Sequence, residues 1–188
     1  MNTERRKQIA VIGDAKIDPD SEKYGIARDI GCLLVDNGFR VITGGLGGVM
    51  EAACRGAMES VKYQQGDTIG VLPGNDPDVA NKYVDIVIPT GMDINRNSIV
   101  VHADAVIAVG GGAGTLCEMA FAWMLKRLLV AVDTEGWSGQ LAGKKIDHRL
   151  RQPGISDDCV YKAKCASDTV EIVIRKLSQY QSSHKSIR

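Results

Sequence analysis

The sequence places one isolated carboxylate just after a glycine-rich turn. An apolar run of strand length follows Asp104, meets Gly110, Gly111 and Gly112, and continues into a helix-like segment that carries Glu118. Between Asp104 and Lys126, Glu118 is the only charged side chain. Glycines let a phosphate approach the backbone, and the first N–H groups of a helix point at it with the positive end of the helix dipole. The segment therefore predicts a phosphate-binding turn beside a lone acid, which is unusual because apolar surroundings disfavour an unpaired charge.

The same turn continues with residues that suit an anion. Gly114 and Thr115 follow the three glycines, so a hydroxyl stands at the predicted start of the helix. That hydroxyl can cap the helix or bind a phosphate oxygen, beside the backbone N–H groups from Gly112 to Thr115.

A second glycine cluster occupies residues 43–51, after an earlier apolar run. It contains four glycines and a methionine that we take as candidate ligand-binding residues: Gly44, Gly45, Gly47, Gly48 and Met50. The cluster matches neither the dinucleotide fingerprint nor the Walker A loop. Two interpretations stay open, because the glycines could approach a ligand or could simply allow close packing of strand and helix.

A third element, Arg96 followed by Asn97, stands shortly before the strand that leads to Gly110. A guanidinium can make bidentate contacts to phosphate or carboxylate, and it could also pair with Glu118. As single residues, Arg96 could be a surface ion-pair partner and Glu118 a carboxylate stabilised by the helix dipole. Their combination favours a functional site.

Seven apolar runs of strand length alternate with helix-like segments. The predicted strands are residues 8–15, 39–43, 67–72, 83–88, the run after Asp104, 128–133 and 160–163. Continuous apolar strands that alternate with helices predict an α/β fold with a doubly wound, mostly parallel, Rossmann-like sheet and helices on both faces. We expect one domain over residues 1–188, with a core at about 8–135, a C-terminal strand and helix at about 159–180, and a surface loop or flap at 137–158.

The composition limits the classes of partner. The chain has 23 Lys and Arg against 23 Asp and Glu, so its net charge favours neither nucleic acid nor an anionic membrane. No apolar run approaches about 20 residues, and the N-terminus shows no signal-peptide pattern, so we expect a cytoplasmic protein. The five cysteines lack CxxC spacing, and His102, His148 and His184 lack partners at ligand spacing, so we predict no metal site and no cofactor.

These motifs resemble the LONELY GUY (LOG) family, once labelled "possible lysine decarboxylase". The matching segments follow the family's order and spacing, and the resemblance covers roughly residues 8–135. They are the turn from Gly44 to Met50, the pair Arg96-Asn97, and the run from Gly110 to Glu118 that ends in Gly-Thr-Leu-Cys-Glu.

The resemblance implies a Rossmann-like homodimer that binds nucleoside 5′-monophosphates and cleaves the N-glycosidic bond to free base and ribose 5-phosphate. It implies phosphate binding by Gly111, Gly112, Gly114 and Thr115, with Arg96 and Glu118 as the catalytic pair. A carboxylate near the ribose could stabilise the positive charge of an oxocarbenium-like state. No pyridoxal-phosphate lysine motif is present, so we do not expect a lysine decarboxylase.

Two departures favour a second reading. The family's proline is Gly110 here, and the lysine after the arginine is Asn97. With both departures, the sequence resembles more closely the branch of the family that includes molybdenum cofactor carrier proteins. That branch implies a carrier or sensor of a phosphorylated pterin, without turnover. We therefore expect a small phosphorylated ligand, with hydrolysis as the main interpretation and carriage as the alternative.

The helix predicted after Gly112 runs to about Arg127, and over residues 116–125 it is apolar on nearly all sides, which is more than one face of a sheet requires. A second copy of the chain would bury the excess. We therefore expect a homodimer or a higher homo-oligomer.

Overall fold

The computed structural model describes residues 5–180, so the ends of the predicted domain, with His184, lie outside the described residues. Seven parallel strands form one sheet in the order β4-β3-β2-β1-β5-β6-β7. The strands are β1 Gln8–Gly13, β2 Arg40–Thr43, β3 Thr68–Leu72, β4 Ile86–Pro89, β5 Ala105–Val109, β6 Leu128–Val132 and β7 Tyr161–Ala163. All seven predicted strands are confirmed.

Helices cover both faces of the sheet. They are α1 Glu22–Asp36, α2 Val49–Glu59, α3 Asn97–Val100, α4 Ala113–Met124, α5 Trp137–Leu141 and α6 Ala166–Tyr180. Helices α1, α2 and α6 pack into the core on one face, whereas α3 and α4 pack on the other, with side chains of α5 against them. Every residue of β5 and β6 is buried because both faces are covered, and this burial accounts for their uninterrupted apolar sequences. The predicted doubly wound α/β fold is therefore confirmed.

The strand order places the candidate residues at one edge of the sheet. Strand β1 pairs with β2 on one side and with β5 on the other, with Gly13 opposite Val109. The chain winds away from β1 in both directions, which creates a crevice at the carboxyl ends of these strands. Both glycine clusters begin at this crevice, one after β2 and one after β5.

Element boundaries differ from the prediction by one to three residues, and two of the differences have a clear cause in the structure. Strand β4 begins at Ile86 rather than at residue 83, because the N–H of Val84 donates to the carbonyl of Asn81 in a turn. Helix α4 ends at Met124 rather than near Arg127, and Lys126 follows with a φ of 56°. A positive φ at a non-glycine residue is incompatible with a continuing helix.

The predicted loop over residues 137–158 is wrong in part. It begins with the short helix α5, and its Arg151 side chain is buried. The Arg151 guanidinium donates to both carboxylate oxygens of Asp158 and lies 3.5 Å from the ring centre of Trp123. A polar composition predicted exposure here, but the polar groups satisfy one another inside the protein.

Helices α1 and α2 are in close contact at Gly31 and Gly56, and this contact provides a stability prediction. A methyl group on Gly56 would lie 1.7 Å from the carbonyl oxygen of Arg28, whereas one on Gly25 would meet nothing within 4 Å. We expect Gly56→Ala to lower the free energy of unfolding by about 2–3 kcal/mol, because the helices would have to separate. The control Gly25→Ala should raise it by about 0.5–1 kcal/mol. Chemical denaturation measures both, and similar effects would contradict the proposed crossing.

Within residues 5–180, the structure contains no helix with the length and apolar character that crossing a membrane requires.

Candidate functional site

A cavity of about 320 Å³ lies at the crevice beyond β1, β2 and β5. Eight of the predicted site residues line it together with Ile12, Gly13 and Ala15. The eight are Gly44, Met50, Arg96, Asn97, Gly112, Gly114, Thr115 and Glu118. The structure therefore brings together three segments that are far apart in the sequence. The other five predicted site residues do not line the cavity: Gly45, Gly47, Gly48, Gly110 and Gly111.

Arg96 is the cationic residue of the cavity wall. It ends the 3-10 turn Asp93–Arg96 and is only 8% exposed. Its guanidinium packs against the backbone of Gly44, where a methyl group would lie 2.4 Å from Nη1. Gly44 is therefore required for this close approach. The Nε and Nη1 atoms of Arg96 have no hydrogen-bond partner among the described residues. A buried guanidinium whose donors are not all used can form charge-assisted hydrogen bonds with an anion.

Glu118 faces Arg96 across a gap that is too long for a hydrogen bond. The distance from Arg96 Nη1 to Glu118 Oε1 is 3.6 Å, and both side chains are about 10% exposed. Burial raises the pKa of Glu118 to about 7, and the charge of Arg96 only partly opposes this. Burial also lowers the pKa of Arg96, but a guanidinium remains charged. Near neutral pH the Glu118 carboxyl can therefore either accept or donate a proton.

The first two glycines after β5 have their polar groups occupied by the protein itself. Gly110 and Gly111 adopt φ values of 63° and 94°. The Gly110 N–H donates to Ser138 Oγ, and the Gly111 N–H donates to Asp14 Oδ2 at 3.0 Å. Their carbonyls accept from the N–H groups of Ser138 and Trp137. These two glycines fix the shape of the turn, and their role in binding phosphate stays a prediction.

The N-terminus of α4 presents the free donors of the site. Gly112 precedes the helix, and no side chain caps its first turn. The N–H groups of Ala113, Gly114 and Thr115 lack partners within the helix because they belong to its first turn. Since Gly112, Gly114 and Thr115 line the cavity, these donors are placed to meet an anion there.

The glycine cluster at residues 43–51 divides between the two roles that the sequence left open. Gly44 and Met50 line the cavity. Gly45 has a φ of 74° and donates to Thr43 Oγ1, and a methyl group on Gly48 would lie 2.2 Å from the carbonyl oxygen of Asp14. Gly45 and Gly48 therefore serve packing in this structure.

Sequence reasoning missed the two side chains that hold the turn at Gly110 and Gly111. Asp14 stands at the end of β1, and Ser138 lies in the polar segment that was predicted as a loop. The Ser138 hydroxyl also donates to the carbonyl of Val132, so it ties the turn to the end of β6. A carboxylate directly after β1 was the available signal for Asp14, whereas nothing near Ser138 in the sequence indicates its contact.

The pKa of Glu118 leads to a testable pH dependence of stability. The pKa is raised in the folded protein above its ordinary value of 4.5, so this group favours folding below that pH and ceases to do so as the pH rises through about 7. We expect the free energy of unfolding of the wild type to fall by about 2 kcal/mol relative to Glu118→Gln between about pH 5 and about pH 8. Denaturation across this range, with the exposed Glu22→Gln as control, measures the difference. Parallel profiles for the wild type and Glu118→Gln would contradict the expectation.

Comparison with known proteins identifies the family of this chain. The SLOG cluster4 family model matches residues 6–162. The chain belongs to the SLOG cluster4 family. It is 46% identical over 116 residues to an uncharacterized protein from Archaeoglobus fulgidus, an alignment that covers 61% of this chain and 72% of that protein.

Two solved structures are similar to this SLOG cluster4 chain over nearly its whole length. The molybdenum cofactor binding protein from Rippkaea orientalis has a TM-score of 0.74 and 29% identity, with 92% of this chain and 98% of that chain covered. The molybdenum cofactor carrier protein from Chlamydomonas reinhardtii has a TM-score of 0.73 and 28% identity, with 93% and 99% covered. The carrier side of the predicted resemblance is thus supported, and the wider LONELY GUY relationship stays a prediction from the motifs.

Proposed function

We propose that this protein binds and carries a phosphorylated pterin of the molybdenum cofactor type without turning it over. The observation that carries the proposal is the buried Arg96, which lines the cavity and whose Nε and Nη1 make no hydrogen bond to any described residue. The resemblance to two structures that are named for binding or carrying molybdenum cofactor selects the ligand class. The ligand is cargo in this proposal, so the site has to hold it and release it.

Each part of the cavity matches one part of such a ligand. The N–H groups at the start of α4 suit the phosphate, and Arg96 supplies a charged donor beside them. Ile12 and Met50 add apolar surface for a ring system. Asn97 lines the same wall and can exchange hydrogen bonds with pterin ring atoms.

The number of carboxyl groups in the cavity favours a ligand carrier over a hydrolase. Among the residues that line the cavity, all within 5–180, Glu118 has the sole carboxyl group. Glycoside cleavage commonly uses two carboxyl groups, one to protonate the leaving group and one to activate water or attack. A second candidate function nevertheless remains, because a carboxyl with a pKa of about 7 suits a general acid. That candidate is the phosphoribohydrolase reaction on nucleoside 5′-monophosphates.

A mass spectrum of the natively purified protein, combined with loading by molybdopterin, tests the proposal. We expect a phosphorylated pterin to co-purify or to bind, and Glu118→Gln to retain that binding. Incubation of the wild type with AMP should release no adenine above the level given by Glu118→Gln. Release of adenine by the wild type that is lost in Glu118→Gln, without pterin binding, would replace this proposal with the hydrolase.

Homo-oligomerisation also belongs to the proposal. Met124 of α4 is 56% exposed, and the isoleucines Ile86 and Ile88 of the edge strand β4 are each 41% exposed. A second copy could cover such apolar surface. Analytical ultracentrifugation that shows only monomer would contradict this expectation.

A further inference from the structure

Asp14 lies at the end of β1, beside the phosphate-binding turn. Its Oδ2 atom accepts the N–H of Gly111 at 3.0 Å and the ammonium of Lys23 at 2.8 Å. A methyl group on Gly110 would lie 2.3 Å from the same oxygen, so this carboxylate is packed against the turn. The side chains of Asp14 and Lys23 are only 25% and 23% exposed. One carboxylate oxygen therefore joins the turn to a single cation.

This placement creates an electrostatic conflict for a site that takes an anion. The flanking residues Gly13 and Ala15 line the cavity, so the charge of Asp14 is close to any phosphate bound there. The negative charges of Asp14 and a bound phosphate would repel each other, which would weaken phosphate binding about five- to tenfold at low salt. Lys23, in the first turn of α1, forms an ion pair with Asp14. A cation in that turn is unfavourable for the helix dipole, and the ion pair offsets this cost.

We propose that Asp14 is a positioning residue for the phosphate-binding turn and that Lys23 neutralises its charge. Asp14 fixes the Gly111 N–H and so orients the next residues, whose N–H groups face the cavity. Lys23 cancels the repulsion without contacting the phosphate. The inference rests on the proposed function only in that the cavity takes a phosphate group, whatever that group is attached to.

Four variants separate positioning from charge. Asp14→Asn keeps an oxygen acceptor for the Gly111 N–H and removes the charge, whereas Asp14→Ala removes both. Lys23→Met leaves Asp14 charged and without its cation. The double variant Asp14→Asn with Lys23→Met removes the whole ion pair but keeps the acceptor. Lys176→Met is the matched control, because Lys176 pairs with Asp157 in another ion pair.

Titration with inorganic phosphate at low salt, followed by the backbone amide NMR signals of Gly111 and residues 113–115, gives the readout. We expect Lys23→Met to weaken phosphate binding about five- to tenfold, with the loss shrinking as salt is added. The double variant should recover wild-type affinity or better. Asp14→Ala should weaken binding and speed hydrogen exchange at Gly111 although it removes a negative charge, while Asp14→Asn should do neither. Lys176→Met should match the wild type.

Three results would overturn the inference. A double variant as weak as Lys23→Met would mean that Lys23 contacts the phosphate directly. Tighter binding by Asp14→Ala, with a large phosphate-induced shift at Gly111, would mean that phosphate displaces Asp14 from the turn. Amides of residues 113–115 that ignore phosphate in the wild type would remove the site itself. Failure to find a pterin, with phosphate binding intact, would refute the carrier proposal alone.

Discussion

Replacement of Arg96 by methionine should abolish ligand binding and leave the folded protein at least as stable as the wild type. Arg96 lines the cavity, and its Nε and Nη1 atoms make no hydrogen bond to any described residue, although Nη1 lies 3.6 Å from Glu118 Oε1. Charge-assisted hydrogen bonds are among the strongest in proteins, so we expect the affinity for molybdopterin to fall at least about 100-fold. Methionine keeps the apolar part of the side chain but lacks the guanidinium atoms that pack against Gly44, so it gives up that contact together with the buried charge.

The stability side of this prediction depends on Glu118. Removal of one partner from a buried ion pair is usually destabilising, because it leaves an uncompensated charge. Here the Arg96–Glu118 separation is 3.6 Å, and the pKa of Glu118 is already about 7. Without Arg96 this pKa rises further, so the carboxyl takes up a proton and no buried charge remains. The free energy of unfolding of Arg96→Met should therefore equal or exceed that of the wild type.

Arg151→Met is the matched control for Arg96→Met. Arg151 is also buried, but it makes two hydrogen bonds to Asp158 and stacks on Trp123. Its loss should cost about 3 kcal/mol, because Asp158 would be left buried without its cation. Denaturant unfolding and ligand titration of both variants measure the contrast. An Arg96→Met protein that loses as much stability as Arg151→Met would show that Arg96 is structural.

The sequence predicted the fold well because its signals were local. Each strand was an apolar run, and most turns were marked by glycine or proline, so most elements could be recognised from a few neighbouring residues. The convergence of Arg96, Gly44 and Glu118 also followed, because carboxyl ends of parallel strands meet at one edge. These parts of the site needed no knowledge of side-chain contacts.

The sequence could not show in the same way which glycines have N–H groups bonded within the protein and which have free ones. Gly111 and Gly112 are neighbours in one motif, yet the Gly111 N–H binds Asp14, which is 97 residues away in the sequence. Ser138, which holds Gly110, stands in a segment with no periodicity. Such contacts depend on the packed arrangement of distant elements, so a motif identifies the turn without showing which of its N–H groups remain free.

Replacement of Gly112 by valine should block the ligand without disturbing the fold. Gly112 has a φ of −97° and a ψ of −152°, which any residue adopts, and a methyl group built there meets nothing within 4 Å. Because Gly112 lines the cavity, the valine side chain would occupy the space in which a phosphate meets the start of α4. We expect at least about a 100-fold loss of affinity. The free energy of unfolding should change by less than about 1 kcal/mol, since the residue is unstrained.

Gly111 and Gly112 should respond differently when a side chain is added: the first loses stability, and the second loses ligand affinity. Gly111→Ala should unfold more easily, because its φ is 94° and its methyl group would lie 2.3 Å from Thr115 Oγ1. Gly154→Val, at another glycine with open space around it, is the control for the bulk of valine and should bind as the wild type does. Titration with molybdopterin and denaturant unfolding give both quantities for each variant. If Gly112→Val bound molybdopterin as tightly as the wild type, the phosphate would have to lie away from α4. The assignment of the cavity to a phosphorylated ligand would then fail.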